Sequence, residues 1–179
     1  MSAPGFPAPP PHCAGGALRW AEVSPCGRYR YQLGRRWKAG RTLAFVMLNP
    51  STADVLEDDP TLRRCLGFAR AWNYGAVELV NLFAWRATDP RHLRAAHLAG
   101  EDVVGPLCDV RLGAVVERAD QVVVAWGSLA SRRWTLPRAE QVLRGLAEYD
   151  LGRLGPPCSD GQPRHPLYAR ADAPLEDHP

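Results

Sequence analysis

Thr42-Leu43-Ala44-Phe45-Val46-Met47-Leu48 is the stretch that decides the fold, and it runs directly into the turn Asn49-Pro50-Ser51. A nearly continuous apolar run that ends at such a turn is typical of a parallel strand buried on both faces. Residues 76–83 and 121–126 repeat the pattern. The chain is therefore predicted to contain an α/β domain with three core strands in sequence order.

Helical spacing of apolar residues appears between and after these strands, at residues 62–72, 105–118 and 131–146. The order β-α-β-α-β-α predicts a three-layer α/β/α sandwich with a central, mainly parallel sheet of about four strands. Residues 17–38 alternate around a Cys26-Gly27 turn, which predicts an additional N-terminal hairpin.

The predicted strands end at Asn49, at Asn81 and at Trp126-Gly127. Ligands of parallel sheets bind beyond the carboxyl ends of the strands. We therefore expect the functional site where these three turns meet.

The chain begins with a Pro-rich segment, residues 1–16, which we predict to be a disordered tail before a single domain at residues 17–179. This start lacks the charged and apolar regions of a secretory signal, and the five cysteines form no C-x-x-C pair. The apolar runs are far shorter than the roughly 20 residues of a membrane span. We expect a soluble, cytoplasmic monomer that does not enter membranes.

Charge and motifs narrow the function classes only partly. The net charge is +3, and all of the 22 basic residues except Lys38 are arginine. Arginine binds phosphates and stacks on bases, although GC-rich coding also favours it. The sequence contains neither G-x-x-x-x-G-K-[ST] nor G-x-G-x-x-G, so ATP or dinucleotide chemistry has no support, and no cofactor is expected.

The first turn carries an amide, two hydroxyls and a carboxylate, from Asn49 to Asp54. Such groups can position a water and a ligand, but the same residue types also bond their own backbone in ordinary turns. Asp58-Asp59-Pro60-Thr61 invites a metal or acid-base interpretation, and a helix cap is the interpretation we favour. No metal is predicted.

His165 lies in Arg164-His165-Pro166-Leu167-Tyr168, within a Gly/Pro-rich stretch that has no clear helix or strand pattern. A histidine there can donate a hydrogen bond to negative charge that develops on a leaving group. The alternative is a histidine of a surface loop.

Taken together and in this order, these motifs resemble the uracil-DNA glycosylase superfamily, particularly its mismatch-specific branch. The resemblance covers about residues 40–170 and rests on Phe45 to Ser51, Val80 to Thr88, Val123 to Ala130 and His165-Pro166-Leu167. Leu167 replaces the serine that usually follows His-Pro, and the cysteines do not match the iron–sulfur branches. The whole chain is more similar to a bacterial family named domain of unknown function 1643.

The resemblance implies hydrolysis of the bond between a base and its sugar. Asn49 would hold the attacking water, and His165 would stabilise the departing base. Because an amide cannot act as a general base, the resemblance leaves open whether Asp54 or Asp58 supplies one, and Asp54 is the candidate we name.

The resemblance also implies a pocket for the base and an edge that binds DNA. The pocket residues would be Pro50, Ser51, Asn81, Phe83, Trp85, Gly127 and Ser128, with Asn81 reading the base and Phe83 or Trp85 stacking on it. Such an enzyme flips its target out of the duplex, with Leu167 or Tyr168 filling the gap and Arg164 and Arg170 holding phosphates.

Three functions therefore remain open. The leading hypothesis is a DNA glycosylase acting on uracil or another damaged or modified base. The alternatives are an inactive module that binds a base or nucleic acid and a hydrolase of free nucleosides or nucleotides. The low net charge favours the last, because duplex binding normally requires a broad basic surface.

Overall fold

The computed structural model describes residues 12–14, 16–51 and 53–179. Most of the predicted tail, residues 1–11 and 15, lies outside them. The strands are β1 (His12–Ala14), β2 (Ala17–Val23), β3 (Arg30–Arg36), β4 (Thr42–Met47), β5 (Ala76–Asn81), β6 (Gln121–Val124), β7 (Leu151–Leu154) and β8 (Leu175–Asp177). The α-helices are α1 (Pro60–Ala71), α2 (Pro90–Leu98), α3 (Cys108–Arg118) and α4 (Leu136–Gly145).

The three core strands that the sequence predicts are confirmed as β4, β5 and β6, and the predicted hairpin is β2 and β3. The start of α1 also follows from local sequence. Asp59 is its N-cap and accepts a hydrogen bond from Leu62 N, while Pro60 occupies the first turn, where its missing N–H costs nothing. The helix-cap interpretation of Asp59 is therefore confirmed.

The predicted sandwich around about four mainly parallel strands is wrong. The described strands form one mixed, eight-stranded sheet in the order β1-β2-β3-β5-β4-β6-β7-β8. Strands β5, β4, β6 and β7 pair in parallel, but β3 adds to β5 and β8 adds to β7 in antiparallel fashion. The hairpin is thus part of the sheet, because pairing with β3 satisfies the edge of β5 that would otherwise be exposed.

Both faces of the sheet are covered by helices. Leu62, Cys65 and Ala69 of α1 pack with Phe45 and Leu79 on one face. The other face packs against α2, α3 and α4 through Leu93, Leu112, Val115, Ala139 and Val142. Within the described residues, no helix is long and apolar enough to cross a membrane.

Candidate functional site

A cavity of about 530 Å³ lies at the edge of the sheet where β4, β5 and β6 end. Its volume is within the range of roughly 300–1,000 Å³ that small-molecule sites occupy. Asn49, Asn81 and Gly127 line it from the three strand ends, so the turns meet in space as the sequence predicts. The N-terminus of α1 and the segment around His165 complete it.

Asn49 is oriented by the loop that follows β5. Its Nδ2 donates to the carbonyl oxygen of Ala87 at 2.8 Å and to that of Pro50 at 3.1 Å. Both bonds use the amide N–H groups, so Oδ1 is the atom left to accept a hydrogen bond in the cavity. Asn49 can therefore hold a water or a ligand N–H, but it cannot take a proton.

Asn81, the last residue of β5, is only 3% exposed and lines the cavity. Its Nδ2 has no hydrogen-bond partner among the described residues. Leaving such a donor buried and unsatisfied costs about 1–3 kcal/mol. A ligand with a hydrogen-bond acceptor at this position would remove that cost.

His165 is held against the end of β6. Gly127 has φ +76° and lies so close that a Cβ on it would be 3.0 Å from the Cβ of His165, and Gly127 N donates to Pro163 O at 2.9 Å. His165 Nδ1 accepts a hydrogen bond from Leu167 N at 3.3 Å. The neutral ring therefore carries its proton on Nε2, which makes Nε2 a donor.

Burial lowers the pKa of His165 to about 4, although the charge of Asp59 acts in the opposite direction. The imidazole is consequently neutral at physiological pH. The N–H of a neutral imidazole can donate a hydrogen bond to negative charge that develops on a substrate in the cavity.

The same pKa shift predicts how stability depends on pH. Unfolded His165 takes up a proton near its ordinary pKa of 6.5, whereas the folded protein resists protonation until about pH 4. The free energy of unfolding should therefore be highest above pH 6.5 and fall between about 6.5 and 4. Urea unfolding at a series of pH values should show this fall, and it should be smaller in His165→Asn. Some slope should remain in that variant, because burial also lowers the pKa of His178. An unchanged slope would contradict the prediction.

Asp59 lines the cavity as well as capping α1. Its Oδ1 accepts from Leu62 N at 2.7 Å, and its Oδ2 accepts no hydrogen bond from the described residues. Asp59 is thus a carboxylate in the cavity that already has a fixed position. From the sequence, the capping role is favoured over a metal or acid-base role, because an Asp-Pro pair before a helix is explained by the cap alone.

Arg30 also lines the cavity, and sequence reasoning did not single it out. It is 3% exposed and donates from Nη1 to the carbonyl oxygen of Ala53 at 2.5 Å. In the sequence it lies within an alternating strand, where an arginine is usually on a solvated face. Thr61, Thr88 and Cys158 are further lining residues that the motifs did not reveal.

Asp54, the predicted general base, does not line the cavity. Its Oδ1 accepts hydrogen bonds from Leu56 N at 2.7 Å and from Glu57 N at 3.0 Å. The backbone hydrogen bond from Glu57, followed by that from Leu56, lowers the pKa of Asp54 despite partial burial. Asp58 accepts from Arg35 at 2.9 Å and from Arg19 at 3.3 Å. Both carboxylates therefore hold the loop between β4 and α1.

The predicted stacking residues lie outside the cavity lining. The Phe83 ring packs against Trp134, with 5.6 Å between ring centroids. Trp85 packs edge-on against Tyr29, and the Arg28 guanidinium lies over the Trp85 ring.

Pro50 is buried, and its carbonyl oxygen accepts from Ala87 N. Among the remaining predicted pocket residues, Ser51 and Ser128 line the cavity, and Ser128 Oγ lies 3.4 Å from Asp160 Oδ1.

The predicted DNA-binding residues divide into two groups. Leu167 and Tyr168 line the cavity and are 43% and 77% exposed. Arg164 instead donates to the carbonyl oxygens of Pro156 and Pro157, and Arg170 pairs with Asp172 at 2.9 Å. The cavity thus has an exposed apolar and aromatic rim, while the two predicted phosphate-binding arginines have protein partners.

Arg64 of α1 fixes the 3₁₀ turn Pro166–Tyr168, which carries this rim. Its Nη2 donates to Ala169 O at 2.6 Å and its Nε to Pro166 O at 3.2 Å. Arg64 therefore joins the helix that supplies Asp59 to the turn that follows His165. Among the described residues, no group of three or more His, Cys, Asp or Glu side chains is placed to hold a metal ion.

Comparison with known proteins finds a family match. Residues 30–167 match the model of a family described as "Protein of unknown function (DUF1643)". The matched range contains Arg30, Asn49, Asp59, Asn81 and His165. No curated protein and no solved structure matches the chain.

Proposed function

The chain belongs to the DUF1643 family, whose description names no activity, and we propose from its cavity that it is a hydrolase of the N-glycosidic bond of a damaged or modified base in DNA. The observation that carries the proposal is the meeting of Asn49, Asn81 and a neutral His165 in one cavity. Together they offer an acceptor for water, a donor for the base and a donor for developing negative charge.

Water attack begins at Asn49. Its Oδ1 accepts a hydrogen bond from the water and orients the water oxygen toward C1′ of the sugar. As the C1′–N bond breaks, its electron pair remains on the base, and the water proton passes to the carboxylate of Asp59. Holding water and sugar in this geometry removes much of the entropic cost of the reaction.

The departing base is stabilised from two sides. His165 Nε2–H donates to an acceptor atom of the base as negative charge accumulates there. Asn81 Nδ2, which has no partner among the described residues, donates to another acceptor on the edge of the base. The apolar lining, which includes Met47 and Trp126, excludes water from the base.

Access from DNA depends on the rim. An enzyme acting on a base in a duplex must flip the base out of the stack and benefits from side chains that fill the gap. Leu167 and Tyr168 are exposed beside the cavity and are suited to this role. A free nucleoside or nucleotide is the second candidate substrate, because Arg164 and Arg170 are engaged by protein groups.

Strand cleavage after alkali treatment tests the proposal. Labelled single-stranded and duplex oligonucleotides carrying uracil, hypoxanthine, hydroxymethyluracil or mismatched bases are incubated with the protein, and the corresponding nucleosides are assayed in parallel. We expect cleavage at one of these bases that is lost in His165→Ala and Asn49→Ala. Base release from nucleosides alone would establish the second candidate. Absence of release from every substrate by the folded protein would refute hydrolysis and favour the base-binding module.

Arg64 provides a test of positioning within this proposal. Arg64→Ala should lower kcat about tenfold with little change in KM, because displacing a catalytic group by even 1 Å is costly. Arg64→Lys should restore part of the loss. Arg70→Ala is the matched control, since Arg70 belongs to the same helix but lies over Trp37. Equal losses in both variants would indicate a general effect on α1 instead.

A further inference from the structure

Arg30 differs from the other buried arginines of the protein. Arg30, Arg35 and Arg138 are each less than 10% exposed, at 3%, 2% and 7%. Arg35 contacts Asp58 at 2.9 Å, and Arg138 contacts Asp109. Among the described residues, no carboxylate oxygen lies within 4.0 Å of a side-chain nitrogen of Arg30, the distance that defines an ion pair. A buried charge without a partner is costly, so this arrangement needs an explanation.

The hydrogen-bond donors of the Arg30 side chain are only partly satisfied by the protein. Nη1 is occupied by Ala53 O at 2.5 Å, whereas Nε is buried and has no partner among the described residues. Asn81, also lining the cavity, has a second buried donor without a partner. Arg30 of β3 and Asn81 of β5, two neighbouring strands, therefore both line the cavity, and each has a buried donor that no described residue satisfies.

Arg30 keeps its charge in this environment. Burial lowers its pKa to about 10, and the charges of Arg86 and Arg35 act in the same direction. The charges of Asp59 and Asp54 act in the opposite direction. A guanidinium with this pKa is still protonated at neutral pH, so the lining of the cavity includes a positively charged Arg30 as well as the neutral His165.

We infer that Arg30 binds the base directly and is the counter-ion of the base anion that forms as the C1′–N bond breaks. This inference rests on the proposed function and extends it by naming the substrate class. The substrates are bases whose buried edge carries carbonyl acceptors and which leave as anions. The electron pair of the broken bond becomes delocalised onto those oxygens, while the water oxygen bonds to C1′ and its proton goes to Asp59.

The cavity fits a flat heterocycle better than a phosphate. Asp59 is a carboxylate in the same lining and would repel the double charge of a phosphate dianion more strongly than the single charge of a base anion. Met47, Leu79 and Trp126 provide apolar surface that suits the faces of a ring. A neutral base that gains charge only during bond breakage avoids this repulsion in the bound substrate.

Binding of free bases tests the inference without requiring catalysis. 5-Nitrouracil and xanthine are much more acidic than their partners uracil and hypoxanthine. At mildly alkaline pH the two acidic bases are therefore largely anionic, while their partners are largely neutral. We expect calorimetry to show about tenfold or tighter binding of the acidic member of at least one pair, as a charge-assisted hydrogen bond requires. Arg30→Met should abolish this preference, while Arg28→Gln, an exposed arginine on the same hairpin, should keep it.

Thermal unfolding checks that the variant remains folded. Arg30→Met removes a buried charge that has no carboxylate partner but also loses the hydrogen bond to Ala53 O, so its Tm should stay close to the wild-type value. Arg30→Gln is the second variant, and it should likewise lose the preference for the acidic base. If both variants fail to fold, Arg30 is structural and the inference is wrong.

Other outcomes are equally decisive. The inference is overturned if the wild-type protein shows no preference for acidic bases, or if Arg30→Met retains it. Binding of inorganic phosphate that depends on Arg30 would also overturn it, in favour of a phosphate subsite. Cleavage of oligonucleotides by a wild-type protein that shows no such preference would leave the proposed function intact and reject only the role of Arg30.

Discussion

His165→Ala is expected to lower kcat for base release by about 10²–10³-fold, the usual loss when one donor to a developing anion is removed. The Cβ that packs on Gly127 is retained in alanine, so the end of β6 should keep its structure. Single-turnover rates on the substrate found by strand cleavage measure the effect.

His92→Ala is the matched control for this prediction, because His92 is exposed on α2 and does not line the cavity. The activity of that variant should equal the wild-type activity. A His165→Ala protein that retains full activity would remove His165 from the mechanism. The neutral state of His165 further predicts activity that does not depend on its protonation above about pH 5, since burial lowers its pKa to about 4.

Asp59→Asn is expected to cause the second large loss, about 10²-fold or more in kcat, because it removes the general base. The substitution is well matched, since asparagine caps a helix about as well as aspartate does. The Tm should therefore change little while the activity falls.

Asp54→Asn separates the two possible bases. The Asp54 carboxylate accepts two backbone N–H bonds outside the cavity lining, so its substitution should affect loop stability more than kcat. An active Asp59→Asn protein together with an inactive Asp54→Asn protein would return the role of general base to Asp54. Burst and steady-state rates on the same oligonucleotide measure both variants.

The parts of the fold that local pattern determines were predictable from the sequence. The apolar run of β4 and the Asp59-Pro60 cap of α1 both follow from short stretches of chain. The convergence of Asn49, Asn81 and Gly127 also followed, because the carboxyl ends of parallel strands share one edge of the sheet.

The extent of the sheet was not predictable in the same way. Strands β7 and β8 have four and three residues, and neither has a clear apolar alternation. They are strands because of pairing in the folded sheet: β7 pairs with β6, and β8 pairs with β7. Pairing of β3 with β5 likewise depends on tertiary contacts, so the sequence indicated a hairpin but not its place in the sheet.

The candidate site shows the same division between local and tertiary information. His165 and Asn49 stand out because no regular element explains them locally. Arg30 does not stand out, since only the folded structure shows that it is buried without a carboxylate partner among the described residues. Phe83 and Trp85 follow the Asn81 motif closely, yet their rings pack against Trp134 and Tyr29.

The most direct test of the proposed chemistry is base release in ¹⁸O-labelled water, followed by mass spectrometry of both products. If the protein hydrolyses the N-glycosidic bond, the free base carries no label and the abasic sugar carries ¹⁸O at C1′. An ¹⁸O label on the base would mean that water attacks the ring instead, and no release by the folded protein from any base or nucleoside would contradict hydrolysis altogether.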